Sequence, residues 1–222
     1  QFHNTVVALG KFDGMHKGHQ LIFDELIQYK QLGYQAAVFS FDRPPLNMLK
    51  HKHMRVIYTT NEKIKLLARR GIDIYIEHPF TDEFSHLSPE DFVIKVLLEK
   101  TGMKVLVVGD DCGFGYKRQG NVELLERMSK EYDFKLIVIP KLELEGEIVS
   151  STRIRHLLSE GKVEEANRLM EDPFMICGSV VHGNHMGAEV LQMPTANQIP
   201  LEDKLLPPNG VYVSRIHYKD ET

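Results

Sequence analysis

The chain has 222 residues and 42% of them are hydrophobic, so it can bury a core as one large domain, alone or with a smaller companion. Its formal net charge of −4 comes from acidic and basic residues mixed along the chain, which offers no broad basic surface to a nucleic-acid backbone. No apolar run approaches the roughly 20 residues that cross a bilayer, and no signal-peptide pattern precedes the first strand. Composition therefore predicts a cytoplasmic protein without nucleic-acid or membrane partners, and it leaves the oligomeric state open.

The two cysteines, Cys112 and Cys177, lie far apart without CxxC spacing. This spacing argues against a disulfide framework and against a zinc site built from thiolates. The cysteine pattern therefore indicates a reducing compartment.

Short apolar runs rich in β-branched residues alternate with longer segments of helical period, which is typical of βαβ units with a parallel sheet. The predicted strands are Val6–Leu9, Ala36–Phe41, Ile72–Ile76, Val105–Val108 and Leu136–Ile139. Helices are expected between them, the first from about Lys17 to Gln31 with Gly33 just past its end. The predicted fold class is α/β, a doubly wound parallel sheet of the Rossmann-like nucleotidyltransferase type.

The segment Gly10–His19, with the sequence GKFDGMHKGH, follows the first predicted strand and runs into the first predicted helix. It therefore falls in the first βα loop, where doubly wound folds bind nucleotides. Its glycines permit tight turns and close approach of the backbone to a ligand, and the helix start attracts phosphate oxygens. These glycines are Gly10, Gly14 and Gly18.

His16 and His19 are three residues apart, so near a helix start they would project from one face. Two imidazoles aimed at a triphosphate can donate hydrogen bonds to phosphate oxygens and stabilise the charge that grows as pyrophosphate departs. A capping or surface role and a metal-binding pair are the alternatives, although no third metal ligand has suitable spacing. We interpret the pair as part of a phosphate site.

Two further helices carry capping signals. Thr59–Glu62 has the spacing of a capping box, which predicts a helix to about Arg70 stopped by Gly71. Ser88 followed by Pro89 predicts a second helix, which should end near residue 100.

Three more loops are expected to follow strands and to reach the same edge of the sheet. Phe41–Pro45 suits either an ordinary turn or a ligand loop. In Gly109–Gly120, Asp110 or Asp111 can hold a ribose hydroxyl or a metal-bound group and Phe114 can stack on a flat ring, although a purely structural glycine-rich turn also fits. Ser150–Arg155 is either a helix cap or a second grip on the phosphates.

The composition of the sequence changes after about Asp172. Glycine and proline become frequent among short strand-like stretches such as Cys177–Val181 and Val211–Ile216, which predicts an all-β region. We therefore predict a domain over residues 1–160, a linker over 161–173 and a small or incomplete β domain over 174–222.

These motifs, in this order, resemble the bacterial bifunctional riboflavin kinase/FMN adenylyltransferase family, also called FAD synthetases, over residues 5–160. The first segment matches the family pattern GxFDGxHxGH, a specific form of the HxGH signature of nucleotidyltransferases. In that family the first domain transfers AMP from Mg-ATP to FMN, giving FAD and pyrophosphate. The resemblance thus implies ATP and FMN as substrates, FAD as product and Mg²⁺ as cofactor.

Site residues are implied by position in the matched motifs. The catalytic set would be His16, His19 and Arg155. The ATP contacts would come from Gly10, Phe12, Asp13, Gly14, Gly18, Ser151, Thr152 and Arg153. The flavin or nucleotide contacts would come from Asp42, Pro44, Gly109, Asp111 and Phe114. The family usually has an aromatic residue where this chain has Cys112.

The resemblance continues into segments that look like the start of the riboflavin kinase β-barrel, with riboflavin as a further substrate. These segments are 178–183, Met193–Asn197 and 208–212. By the family pattern, Thr195 and Asn197 would bind magnesium and ATP phosphates.

The approach to that second motif departs from the family pattern. Where the family has a run rich in glycine and basic residues, Asn184–Gln192 carries Glu189, whose negative charge should weaken phosphate binding. The family's catalytic glutamate is also expected beyond Thr222. We therefore expect adenylyl transfer, and not the kinase step, to be the activity of this chain.

Two other functions remain open from the sequence. The HxGH core also serves transferases that act on pantetheine phosphate, nicotinamide mononucleotide or alcohol phosphates, so the acceptor can differ. A flavin-binding regulator that kept the pocket and lost turnover is the alternative from another functional class.

Overall fold

The computed structural model describes residues 2–42, 55–181 and 196–217. Its centre is a parallel five-stranded sheet in the order β3-β2-β1-β4-β5. The strands are β1 (Thr5–Leu9), β2 (Gln35–Phe41), β3 (Ile74–His78), β4 (Met103–Gly109) and β5 (Lys135–Ile139). All five predicted strands are confirmed, and the α/β fold class with them.

Strands β1 and β4 form the buried middle of the sheet. Because successive side chains of a strand point to opposite faces, each strand supplies two hydrophobic cores. Val6 and Val107 enter the core on one face, whereas Val7 and Leu106 enter the core on the other, and all four are fully buried. Helices cover both faces.

The helices are α1 (Lys17–Gln31), α2 (Thr60–Arg69), α3 (Asp82–Ser85), α4 (Pro89–Asp91), α5 (Glu99–Thr101), α6 (Val122–Glu131), α7 (Ser151–Ser159) and α8 (Val163–Leu169). The predicted capping box at Thr59 and Glu62 is present, with both reciprocal hydrogen bonds. Among the described residues, no helix is both long and apolar enough to cross a membrane.

The helix predicted from Ser88 is helical throughout, but its middle differs from the expectation. Helix α4 continues as a π-helical stretch, Phe92–Leu98, before α5 begins. Its buried side chains recur at i, i+1, i+4 and i+5, which suits the wider π-helical turn. An α-helical period of about 100° per residue would also keep these four residues within an arc of about 140°, so their burial alone does not explain the π-helical stretch.

The region after residue 172 is only partly β-structured. The predicted strand at 177–181 is observed as β8 (Gly178–Val181), paired antiparallel with β9 (Asn197–Pro200). The predicted strand Val211–Ile216 is wrong, because this stretch has no regular secondary structure. Val211 and Val213 are fully exposed, so no packed face supports their β-propensity among the described residues.

The order of the strands determines where a ligand-binding crevice forms. The chain leaves β1 toward β2 on one side and later returns to β4 on the other, so a crevice forms beyond the carboxyl ends of β1 and β4. A hairpin not predicted from the sequence, β6 (Glu143–Leu144) and β7 (Glu147–Ile148), then brings the chain from β5 to the start of α7. Its turn residues Glu145 and Gly146 both have positive φ, as a two-residue hairpin turn of type I′ requires.

Candidate active site

The loop after β1 turns sharply over a buried ring. Phe12 is 1% exposed and adopts a φ of 49°, which is uncommon for a residue with a side chain. A Cβ atom placed on Gly10 would lie 2.8 Å from the Phe12 ring. Gly14 has a φ of 82°, which favours glycine. Phe12 therefore supports the loop from below, and the glycines allow the backbone to fold around it.

His16 and His19 meet at the start of α1, as predicted. His16 is the N-cap residue, and its Nδ1 atom accepts a hydrogen bond from the backbone N–H of His19 at 3.3 Å. The two imidazole rings stack with centroids 3.6 Å apart and planes 17° apart. A Cβ atom on Gly18 would come within 3.1 Å of His16 Nδ1, so this glycine leaves room for the ring.

Both imidazoles are neutral at physiological pH. Burial lowers the pKa of His16 from its ordinary 6.5 to about 4. Burial, and then the repulsion from a protonated His16 and from Lys63, hold the pKa of His19 well below its ordinary value. Because Nδ1 of neutral His16 accepts a hydrogen bond, its proton lies on Nε2, which can donate to a ligand. Nδ1 of His19 is buried and has no hydrogen-bond partner among the residues described.

Asp13 fixes the loop to two other parts of the chain. Its Oδ1 atom accepts hydrogen bonds from the backbone N–H groups of Ile57 at 2.9 Å and Tyr58 at 3.2 Å. Its Oδ2 atom pairs with the guanidinium of Arg155, and its carbonyl accepts from the Ser151 hydroxyl at 2.5 Å. Asp13 is therefore the point where the first loop, the segment before α2 and the start of α7 join.

The start of α7 combines a cap with three predicted ligand residues. Ser150 is the N-cap, and its hydroxyl accepts from the backbone N–H of Arg153 at 3.2 Å. The Arg153 side chain donates from Nε to Glu147 at 2.9 Å, whereas its Nη1 is buried and unpartnered within the described ranges. Thr152 is exposed, and Arg155 also donates to the carbonyl of Arg55. Capping and ligand binding are thus compatible roles for this segment.

The loop after β4 lies beside the first loop, but its two predicted ligand residues differ in exposure. Asp111 is exposed and pairs with Lys141 at 3.1 Å. Phe114 is 5% exposed and packs against Phe92 with ring centroids 5.8 Å apart. Its ring supports the loop from within the core, so its role against a flat ligand ring stays a prediction. Gly109 ends β4 at the crevice.

The loop after β2 is described only at its beginning. Asp42 accepts a hydrogen bond from the backbone N–H of Phe80 at 2.9 Å, so its carboxylate ties the ends of β2 and β3 together. Pro44 and Thr195 lie outside the described residues. Asn197 is exposed in β9, opposite Val181.

Sequence reasoning missed several groups around the first loop. Partial burial, and then the positive charges of Arg118 and Arg155, lower the pKa of Lys11. These cations therefore share one region near Asp13, although only Arg155 stood out from the sequence. The backbone amides of Ile57 and Tyr58 were also missed, because a backbone group carries no residue-specific signal. Within the described ranges, no three His, Cys, Asp or Glu side chains gather to hold a metal ion.

Family models match nearly the whole chain. The model described as FAD synthetase matches residues 1–153, and the model described as riboflavin kinase matches residues 170–222. The second match corrects our expectation that the kinase region had departed from its family. A single acidic residue and a changed run before Pro194 do not remove the wider riboflavin kinase pattern.

Relatives of this chain align with the residues matched by both family models. The chain is 39% identical over 96% of its length to the bifunctional riboflavin kinase/FMN adenylyltransferase of Buchnera aphidicola subsp. Schizaphis graminum, covering 69% of that protein. It is 36% identical over 99% of its length to the enzyme of that name from Listeria monocytogenes, covering 70%, and 32% identical over 95% to that from Escherichia coli K12, covering 67%.

A solved structure has the same fold. A crystal structure described as a macrolide-efflux protein from Streptococcus pneumoniae superimposes with a TM-score of 0.81 and 32% sequence identity. The match covers 95% of this chain and 68% of that one. From the family matches and the relatives together, this chain belongs to the family of bifunctional riboflavin kinase/FMN adenylyltransferases.

Proposed function

We propose that this chain transfers the adenylyl group of ATP to FMN, giving FAD and pyrophosphate. The observation that carries the proposal is the pair of stacked, neutral imidazoles of His16 and His19 at the helix start beyond β1. Membership of the family supports FMN as the acceptor. An oxygen of the FMN phosphate attacks the α-phosphorus of ATP, and the bond from that phosphorus to the bridging oxygen of the β-phosphate breaks.

In this proposal the two histidines stabilise the leaving group. Negative charge grows on the departing pyrophosphate, and N–H donors fixed beforehand lower the energy of that charge without reorganising. The Nε2–H group of His16 suits this role because Nδ1 is already held by the helix start. No covalent intermediate with the protein is needed.

The remaining groups would shape the triphosphate site. Asp13, held by Ser151 and Arg155, keeps the first loop in one conformation, which prepares its amides for phosphate oxygens. The unpartnered Nη1 of Arg153 and the cations Lys11 and Arg155 supply positive charge nearby. Gly10, Gly14, Gly18 and Thr152 complete the proposed ATP contacts, with Asp42, Pro44, Gly109, Asp111 and Phe114 on the flavin side.

Magnesium fits this arrangement as a partner of ATP. Mg²⁺ usually keeps several water ligands and binds substrate phosphates with few protein side chains, so the described residues need not supply a cage of carboxylates. When bound, the ion would neutralise charge on the triphosphate. Thr195 and Asn197 stay the proposed magnesium contacts of the second region.

The match of residues 170–222 to the riboflavin kinase model supports a second proposed activity, phosphorylation of riboflavin by ATP to give FMN. The product of this step is the acceptor of the first. The two activities would thus be consecutive in one protein.

The test is product analysis. With ATP, magnesium and FMN, we expect equal amounts of FAD and pyrophosphate, and His16→Ala should slow the formation of both at least about 100-fold. A screen with pantetheine phosphate, nicotinamide mononucleotide and alcohol phosphates, each with ATP or CTP, checks for another acceptor. Tight flavin binding in a fluorescence titration without any FAD would instead favour a regulator and contradict the proposal.

A further inference from the structure

A lysine from the region matched by the riboflavin kinase model, residues 170–222, is buried between that region and residues 57–62, which the FAD synthetase model matches. Lys204 is 1% exposed, and its side chain is fully enclosed. Its ammonium group donates to the carboxylate of Glu62 at 2.7 Å, to the carbonyl of Ile57 at 2.5 Å and to the carbonyl of Met175 at 2.7 Å. Three donors thus meet three acceptors, as a buried ammonium requires.

Aromatic rings close the cage around this charge. The Nζ atom lies 4.5 Å from the centroid of Phe174 and 4.9 Å from that of Tyr58. Burial lowers the pKa of Lys204, and the hydrogen bond and charge of Glu62 oppose this effect. The Glu62 carboxylate also accepts hydrogen bonds from the backbone N–H groups of Thr59 and Cys177.

The backbone around Lys204 pairs with the segment before α2. The N–H of Val56 donates to the carbonyl of Asp203 and the N–H of Leu205 donates to the carbonyl of Val56, both at 2.7 Å. Val56 and Lys204 form an isolated parallel bridge. Residues 203–205 therefore hold the backbone of residues 55–58 from one side.

The other side of that same backbone holds the nucleotide loop. The N–H groups of Ile57 and Tyr58 donate to Asp13, whereas the carbonyl of Ile57 accepts from Lys204. The Ile57 side chain also contacts the loop, since a Cβ on Gly14 would lie 3.1 Å from its Cδ1 atom. The backbone of residues 57–58 thus contacts Lys204 on one side and, on the other, the Asp13 carboxylate that fixes the loop.

We infer that Lys204 is a positioning residue for the ATP loop of the adenylyl transfer site, acting through Ile57 and Asp13. The inference rests on the proposed function, and it makes the second region a structural part of the first site. Lys204 does not contact the reacting atoms. Its loss should loosen the loop that holds the triphosphate while leaving the flavin side unchanged.

The test compares Lys204→Met with Lys30→Met in the intact protein. Lys30 is matched in its partners but not in burial: its ammonium also donates to a carbonyl, that of Gly71, and to a carboxylate, that of Asp73, at the far end of α1, where its side chain is partly exposed. We expect the KM for ATP to rise about tenfold in Lys204→Met, with the KM for FMN within twofold of wild type. Lys30→Met should leave both values within twofold.

Because Lys204→Met leaves the Glu62 carboxylate buried without its partner, a double variant with Glu62→Gln keeps the test decisive if the single variant does not fold. The carbonyl oxygen of the introduced glutamine can still accept from the backbone N–H of Thr59, but its amide NH2 cannot accept from the N–H of Cys177 as the carboxylate does. We therefore expect the melting temperature to recover in part while the KM for ATP stays high. A wild-type KM for ATP in the double variant, or an equal rise in Lys30→Met, would overturn the inference. Absence of FAD from the wild-type protein would instead reject the proposed function.

Discussion

The end of the sheet where we propose that the nucleotide binds, called the nucleotide end below, and the segment 196–217 differ in how their side chains are used. At the nucleotide end, Asp13 has four hydrogen-bonding partners and the apolar Phe12 is buried. In the segment 196–217, Val211 and Val213 are exposed and Lys204 is the enclosed anchor. The nucleotide end is thus fixed by many contacts, to which Lys204 contributes through Ile57, whereas the segment 196–217 is held mainly through Lys204 and the backbone beside it. Substitutions should affect the two regions very differently.

The largest effect is expected for His16→Asn. Asparagine still accepts the N–H of His19 as an N-cap, but its shorter side chain does not reach the position of the imidazole Nε2 donor. Loss of one such donor should lower kcat for FAD formation about 100- to 1,000-fold, or about 3–4 kcal/mol. The exposed His156 on α7 offers a control, and His156→Asn should retain wild-type kcat. An equal loss of kcat in both variants would mean that the loss does not come from the missing imidazole donor of His16.

More of the fold than of the candidate site could be predicted from the sequence. Strands and helix starts follow from local periodicity and capping, as at Thr59, and the first βα loop follows from strand order. The partners of Asp13 could not be predicted, since two are backbone amides distant in sequence. Phe114 shows a second limit, because an aromatic residue in a glycine-rich loop can face either a ligand or the core. Lys204 carried no local signal that it would be buried.

The pH dependence of stability tests whether the first region is held with neutral histidines. The pKa of His16 is about 4 in the folded protein and near 6.5 when unfolded, so the unfolded chain binds more protons between these values. The contribution of neutral His16 to the free energy of unfolding is therefore complete above pH 6.5. It is lost as the pH falls through 4, and the total loss is up to about 3 kcal/mol. Urea unfolding at several pH values should show this loss, and His16→Asn should reduce it. An NMR midpoint for His16 near pH 6.5 would contradict the neutral pair.

A smaller effect is expected for Gly18→Ala. The new Cβ would lie 3.1 Å from His16 Nδ1 and tilt the ring away from its stacked position. We expect kcat to fall about tenfold, or about 1.4 kcal/mol, without a loss of thermal stability, because alanine favours helix over glycine. Steady-state kinetics and a melting curve check both parts. A variant with wild-type kcat would show that the ring position is not critical.

The smallest effect is expected in the second region. Val213→Ala should change the free energy of unfolding by less than about 0.5 kcal/mol, because this side chain is exposed. The same change at fully buried Val107 should cost about 1–3 kcal/mol. Urea denaturation of both variants makes the comparison. A loss at Val213 as large as at Val107 would mean that Val213 is packed, and would break the contrast between the regions.

The most direct test of the central claim uses ATP labelled at either the α- or the γ-phosphate. With FMN as acceptor, adenylyl transfer at His16 and His19 predicts that the α label appears in FAD and the γ label in pyrophosphate. His16→Asn should slow the appearance of both labelled products about 100- to 1,000-fold and, with riboflavin as acceptor, leave transfer of the γ label unchanged. Labelled FAD at the wild-type rate from His16→Asn, or no α label in any flavin product of the wild-type protein, would contradict the account.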